Sequence, residues 1–307
     1  MKNEEQMLGD VMSEFVQKNK FSIAFSRFFF NLKTFRLDLG IVLLALFSFL
    51  LASLLLNFLH FFDFAPVTVF SAVIFLVLKF FLPQKILLSE MSKNDFIVIG
   101  FFVLVYVFFH FSLNGLLFDG DQHFYYNYAV KTSELKFLSP SLDELFTNFS
   151  IPPLFNFLAA YFYMLFQNEF LLYLLPFVFY FLFILVMLSW FKENGLNVFL
   201  LAILIVISPI WLQYSVEFLR EMPFIFLLTV FFYLMHRFDK AGENVFLFYS
   251  FVAIALALLT KIAGVYLFLF LAAYFVFVKR ISLKLLFLPL IVLFAWFVSS
   301  PQSILFF

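Results

Sequence analysis

Residues 119–126 read DGDQHFYY: two aspartates around a glycine, then a glutamine, a histidine and aromatics, in a chain that is otherwise nearly continuous hydrocarbon. Carboxylates so placed can accept a proton, hold a cation or cap a helix. Two other places interrupt the apolar sequence. VEFLRE, residues 216–221, sets Arg220 between Glu217 and Glu221, and Lys261 stands inside the apolar run IALALLTKIAGVYLFL, residues 254–269. An ionised lysine there is costly unless it faces protein or a water-filled cavity. Plainer readings stand beside these: Asp121 as the N-cap of a following helix, Arg220 in a local ion pair with its glutamates, and Lys261 at a helix break with its head snorkelling to the surface. Four histidines are scattered along the chain, so His123 has no metal-ligand spacing. Asp119 and Asp121, two residues apart, are a weak cation signal.

The elements that must position these residues are membrane helices. Of 307 residues 65% are hydrophobic and 12% charged, far more apolar than a soluble domain of this size. Lysine plus arginine and aspartate plus glutamate number 19 each, and no basic tract marks a nucleic-acid partner. There is no cysteine, which excludes thiol chemistry. Residues 1–38 mix acids and bases without the short apolar core of a cleavable signal. They read as a cytoplasmic leader in which FSIAFSRFFF, residues 21–30, suits either an amphipathic surface helix or a loosely ordered segment.

A span of the hydrocarbon core takes about 20 apolar residues. By that measure the chain is all-α and polytopic, with about ten transmembrane helices: 40–62, 66–83, 95–116, 151–167, 170–191, 196–213, 222–236, 245–259, 262–278 and 283–299. A break is expected near Thr260, Lys261 and Gly264, because 245–278 as one straight helix would run about 51 Å. The positive-inside bias puts the leader, Lys85, Lys93, Arg237 and Lys240 in the cytoplasm and residues 117–150 outside. The same bias puts 216–221 outside, yet three full crossings at 151–167, 170–191 and 196–213 would put it inside. One of those three segments must fail to cross or be wrongly divided.

The outer loop 117–150 gathers Asp119, Asp121, His123, Lys131, Glu134, Lys136, Asp143 and Glu144, and so long a loop in a compact protein is functional or disordered. Residues 122–133 lack proline and glycine, and Phe124, Tyr125, Tyr128 and Ala129 recur at one-turn spacing. That pattern predicts a short helix in the interface with its tyrosines at headgroup level. Lys131 and Glu134 read as solvated positions on it, and the NFS triplet at 148–150 is discounted as a glycosylation signal because it abuts a helix.

The order of four stretches resembles the GT-C membrane glycosyltransferases, nearest the branch of the protein O-mannosyltransferases and aminoarabinose transferases. They are GDQHFYYNYA after a first core helix, with Asp121, Tyr125 and Ala129; IPPLFNFLAAYFYMLF with Pro152, Pro153 and Leu154; ISPIWLQYSVEFLREMPFIFLL; and IALALLTKIAGVYLFL. The resemblance covers about 95–278, with two added helices in 39–94. Residues 279–307 read as a carboxy-terminal transmembrane helix, as expected of a minimal member, a divergent one or a fragment. The chain departs from the family pattern at Gln122, where a second acid is usual, and at Ile151, where a histidine is.

The resemblance implies transfer of a sugar, with inversion, from a polyprenyl-phosphate carrier to a lipid, glycan or protein acceptor at the outer face of a cell membrane. It implies Asp121 as the base, with Asp119 as substitute or partner, Lys261 and Arg220 at the donor phosphate, and Glu217, Tyr125 and His123 near acceptor or sugar. No cofactor is obligatory in this reading, no metal site is assigned, and a divalent cation is compatible with it. A transporter or lipid flippase is the alternative, and a structural subunit would leave the loop acids as caps. In the enzyme, Asp121, Lys261 and the 217–221 cluster should converge.

Overall fold

The computed structural model describes residues 36–59, 61–113, 121–135, 153–207, 213–214, 217, 219–261 and 263–274. Most of the leader, Asp119, the rest of the loop through 152 and the expected span 283–299 lie outside the described residues. The helices are α1 (Leu39–Phe58), α2 (Phe64–Phe81), α3 (Lys93–Leu113), α4 (Asp121–Leu135), α5 (Pro153–Phe166), α6 (Glu169–Leu172), α7 (Leu174–Glu193), α8 (Val198–Ile207), α9 (Glu221–Ala241), α10 (Asn244–Leu258) and α11 (Gly264–Tyr274). No strand forms among the described residues; an isolated bridge pairs Asp38 with Leu87. The expected all-helical class holds, and five helices are long and apolar enough to cross a membrane: α1, α2, α3, α7 and α9. The apolar helices α5 and α10 are shorter. Ten crossings are not confirmed among the described residues, which leave out the expected span 283–299.

Helix boundaries follow local chemistry. Asp38 caps α1, its carboxylate accepting from Gly40 N at 3.0 Å, and Asp63 caps α2, accepting from Phe64 N at 2.7 Å. Pro66, Pro153, Pro176 and Pro223 each fall in the first turn of a helix, where the missing N–H has no intrahelical partner to lose. Gly242 ends α9 in the left-handed conformation at φ 70°, its N–H donating to Phe238 O at 2.8 Å, a conformation that costs glycine nothing.

Hydrogen bonds sort the helix ends into two groups. At one end, rich in lysine and arginine, residues 82–92 form a strap beneath the bundle. Leu39 N donates to Ile86 O at 2.8 Å, Leu88 N to Leu37 O at 2.9 Å, and Ser89 N to Ser189 Oγ at 2.8 Å. Arg237 Nη1 reaches Leu87 O at 3.2 Å and lies over the Phe246 ring. Arg36 pairs with Glu90 and holds its carboxyl below the usual range. Ser92 and Asp95 form a capping box at the start of α3, Ser92 N donating to Asp95 Oδ2 at 2.6 Å and Asp95 N to Ser92 Oγ at 3.3 Å. The fully buried Asp95 also accepts from Lys192 Nζ at 2.7 Å.

The other end carries α4, the end of α3 and the turns that follow α1 and α10. There Phe62 packs on Phe157 with centroids 5.0 Å apart, and Leu154 N donates to Leu259 O at 2.8 Å. These ties correct the count of crossings. The first residues of α5 are fixed at this end by Leu259, and the chain is back toward it at Tyr173, whose carbonyl accepts from Tyr106 OH at 3.4 Å before α7 runs to the basic end. Further along α5, Tyr161 stacks on Phe64 at the start of α2 with centroids 5.0 Å apart, and Tyr163 meets Tyr126 of α4 at 6.1 Å. Helix α5 is therefore held at this end by both its halves, with Pro153 through Ala160 all buried. Arg220 lies over the Tyr125 ring of α4, so Arg220 and Glu221 stand at the α4 end, where the charge bias put them.

The expected break between 245–259 and 262–278 is present, α10 ending at Leu258 and α11 starting at Gly264. A methyl on Gly264 would lie 2.7 Å from Leu258 N and 2.8 Å from Leu258 Cα, so only glycine allows α11 to start this close to α10.

Two outcomes test the frame. Lys192→Ala, which strands the buried Asp95 carboxylate, should cost about 3 kcal/mol in detergent unfolding, while Asp95→Asn with Lys192→Met should cost far less; equal losses would mean that the charge is not what matters. Gly264→Ala should destabilise by about 1–3 kcal/mol through overlap with the α10 backbone, and an unchanged unfolding midpoint would contradict the close approach.

Candidate active site

The predicted loop helix exists, as α4. It buries Tyr125, Tyr128, Ala129, Thr132 and Ser133 and exposes His123, Lys131 and Glu134. The buried positions form one helical stripe, and it packs on α5: Tyr125 meets Phe155 edge-on at 5.3 Å and Tyr126 meets Tyr163 at 6.1 Å. Tyr125 and Tyr128, only 4% and 7% exposed, face protein rather than the open surface of the helix. Aromatic rings in such edge-on contact gain beyond their burial. Lys131 and Glu134 are on the open face, as the sequence reading has it.

Tyr125 is where separate segments meet. The Arg220 guanidinium carbon lies 5.8 Å from its ring centroid, within the range of a cation–π contact. Arg220 Nε and Nη1 are buried without a hydrogen-bond partner. The next residue, Glu221, opens α9 and accepts from Lys261 Nζ at 2.9 Å through Oε1, while its Oε2 is buried and unpartnered. Glu217 accepts from Gln213 Nε2 at 2.8 Å. The local ion pair expected of Arg220 is therefore not formed. One glutamate is taken by a lysine forty residues away, the other by a neighbouring amide, and the arginine stacks on a tyrosine.

The break at 259–263 is held so that Lys261 stays at this place. Lys261 N donates to Ala257 O at 2.9 Å, Gly264 N to Lys261 O at 2.9 Å, and Thr260 Oγ1 to Leu256 O at 2.8 Å. Leu259 O takes the N–H of Leu154, one residue before the Phe155 that touches Tyr125. The paired prolines, the Leu-Thr-Lys stretch and the loop helix are thus joined through three successive contacts. Asn156, 1% exposed and with Oδ1 unpartnered, lies in the same stretch.

Among the sequence-predicted residues, Arg220 meets Tyr125, and Lys261 meets Glu221, the residue next to Arg220. Glu217 is in the same segment as Arg220, and exposed His123 is two positions, or about 200°, around α4 from Tyr125. Asp121 is the first residue of α4, one turn before Tyr125 on its stripe; its side chain and all of Asp119 lie outside the described residues. No group of three or more histidine, cysteine, aspartate or glutamate side chains suited to a metal ion occurs among the described residues. Glu221 as the partner of Lys261 was missed in the sequence. The signal available was an acid opening one apolar helix and a lone lysine at the break of another. A cluster of this kind, with unpartnered guanidinium nitrogens and a partly exposed ammonium, can bind a phosphate through charge-assisted hydrogen bonds.

The sequence also places the chain among known proteins. Residues 150–304 match the family described as dolichyl-phosphate-mannose-protein mannosyltransferase. The match takes in α5 through α11, with Glu217, Arg220, Glu221 and Lys261, and starts beyond α4. No curated protein and no solved structure matches the chain. Its apolar helices make it a multi-pass membrane protein, and with half its length matched, the chain belongs to the dolichyl-phosphate-mannose-protein mannosyltransferase family, membrane glycosyltransferases of the GT-C type.

Proposed function

We propose that the chain moves a sugar from a polyprenyl-phosphate carrier to a hydroxyl of a lipid, glycan or protein acceptor at the outer face of the membrane. The observation that carries the reading is the meeting of Tyr125, Arg220, Glu221 and Lys261, from three separate segments, at one end of the bundle. Arg36, Lys85, Lys93, Lys192, Arg237 and Lys240 belong to the opposite end, and the positive-inside bias turns that end to the cytoplasm and the cluster outward.

In the reaction the acceptor oxygen bonds the anomeric carbon as the carbon–oxygen bond to phosphate breaks, its electron pair leaving on the phosphate. Asp121 takes the acceptor proton. A single displacement of this kind inverts the anomeric centre. Arg220 and Lys261 stabilise the charge that grows on the leaving phosphate, which is where positioned cations lower a barrier most. Tyr125 holds the guanidinium and, with Glu217, borders sugar or acceptor; His123, on the open face of α4, is left to late acceptor contacts. Asp119 assists or substitutes for Asp121, and a divalent cation at the two acids is compatible with the scheme but not required by it.

Transfer of labelled sugar from polyprenyl-phosphate donors in reconstituted membranes tests this. Asp121→Asn, nearly isosteric, should lower transfer by about 10²–10⁴-fold at unchanged folded yield, with Asp119→Asn far milder; activity retained by both would remove the loop acids from the chemistry. Arg220→Lys, which keeps the charge but loses the planar fork and the ring stacking, should lower transfer at least tenfold. Full activity of that variant would assign Arg220 to packing.

A further inference from the structure

We infer that Glu221 is the positioning residue of the site: it fixes where the Lys261 charge stands, and donor affinity depends on it through that lysine. The inference rests on the reading of Lys261 as a phosphate contact.

A lysine at a break between two apolar helices has a four-carbon stem and ordinarily carries its ammonium to the nearest water. Lys261 instead turns to Glu221 at 2.9 Å. Both backbones are anchored. Lys261 is held on either side by the bonds to Ala257 and Gly264, and Glu221 sits in the first turn of α9 beside the buried Met222 and Pro223. A carboxylate is favoured at that position by the unpaired N–H groups of the helix start. The side-chain torsions of Lys261 are therefore the freedom that remains, and Glu221 removes it.

The pairing is also incomplete in a way that suits a ligand. Glu221 takes one of the three ammonium donors through Oε1, and the lysine side chain is 31% exposed, so donors remain for an anion. Arg220, next in sequence to Glu221, presents two buried guanidinium nitrogens without partners. One turn of chain thus sets the arginine directly and the lysine through the glutamate. A pair that served only to cancel charge would still do so with its polarity reversed. A pair that holds a cation for a phosphate would not.

The test uses the full chain in lipid nanodiscs and undecaprenyl phosphate as the probe, with unfolding midpoints measured in parallel. The native chain should bind, Glu221→Gln should weaken binding at least tenfold, and Lys261→Ala should weaken it as much. The double variant Glu221→Gln with Lys261→Ala should bind no worse than Lys261→Ala alone. The exchanged pair, Glu221→Lys with Lys261→Glu, should recover more of the unfolding midpoint than Glu221→Lys alone, less the cost of a cation at the helix start, but not the affinity. Should Glu221→Gln not fold, Glu221→Asp, one methylene shorter, carries the same expectation of weaker binding. Native affinity in the glutamate variant beside a weak Lys261→Ala, or affinity restored by the exchange, would overturn the inference. Failure of the donor reading is distinct, because there the native chain itself does not bind the probe, and the inference falls with it.

Discussion

A charge placed in hydrocarbon must be paired, and a backbone N–H or carbonyl there must be satisfied by protein. The rest of this structure follows from that constraint. Its described polar networks lie at the two helix-end regions. At the basic end the buried Asp95 is neutralised by Lys192, and Asp38 closes α1 while accepting from Ile86 N at 3.0 Å. The strap of residues 82–92 lets the added pair α1 and α2 share one polar layer with α3, α7 and α9.

At the other end the same constraint shapes the candidate site. The chain leaves the helical conformation between Leu258 and Gly264 and would strand carbonyls in an apolar setting. They are taken up locally and by Leu154 N from the start of α5. That repair brings the paired-proline segment against the Leu-Thr-Lys segment, and α5 in turn presents Phe155 to Tyr125. Helix packing in a bilayer has little hydrophobic drive of its own and relies on close contact and polar ties. Here the ties that make the break tolerable are also those that assemble the cluster.

Much of this was legible in the sequence, because length and hydropathy set helix limits and turn chemistry sets their ends. The expected segments 40–62, 66–83 and 222–236 correspond to α1, α2 and α9, and the break at Thr260 to Gly264 was forced by the length of a straight helix. That α5 stays at the α4 end could not be read from composition, since an apolar helix packed across one end and a short spanning one bury the same kinds of side chain. Only the conflict between charge bias and helix count betrayed it. Tyr125 and Tyr128 suit either a headgroup layer or a protein interior, and only the aromatic surface of α5 decides between them. The Lys261–Glu221 pair spans forty residues, and sequence order does not specify such a partner.

The central claim is that the donor phosphate is bound where Tyr125, Arg220, Glu221 and Lys261 meet. A cryo-electron microscopy structure of the chain with a bound polyprenyl phosphate tests it most directly, because both ends of the bundle offer cations. The account predicts the phosphate within hydrogen-bond reach of Arg220 and Lys261. A phosphate seated instead among Arg36, Lys192, Arg237 and Lys240 at the basic end would contradict it.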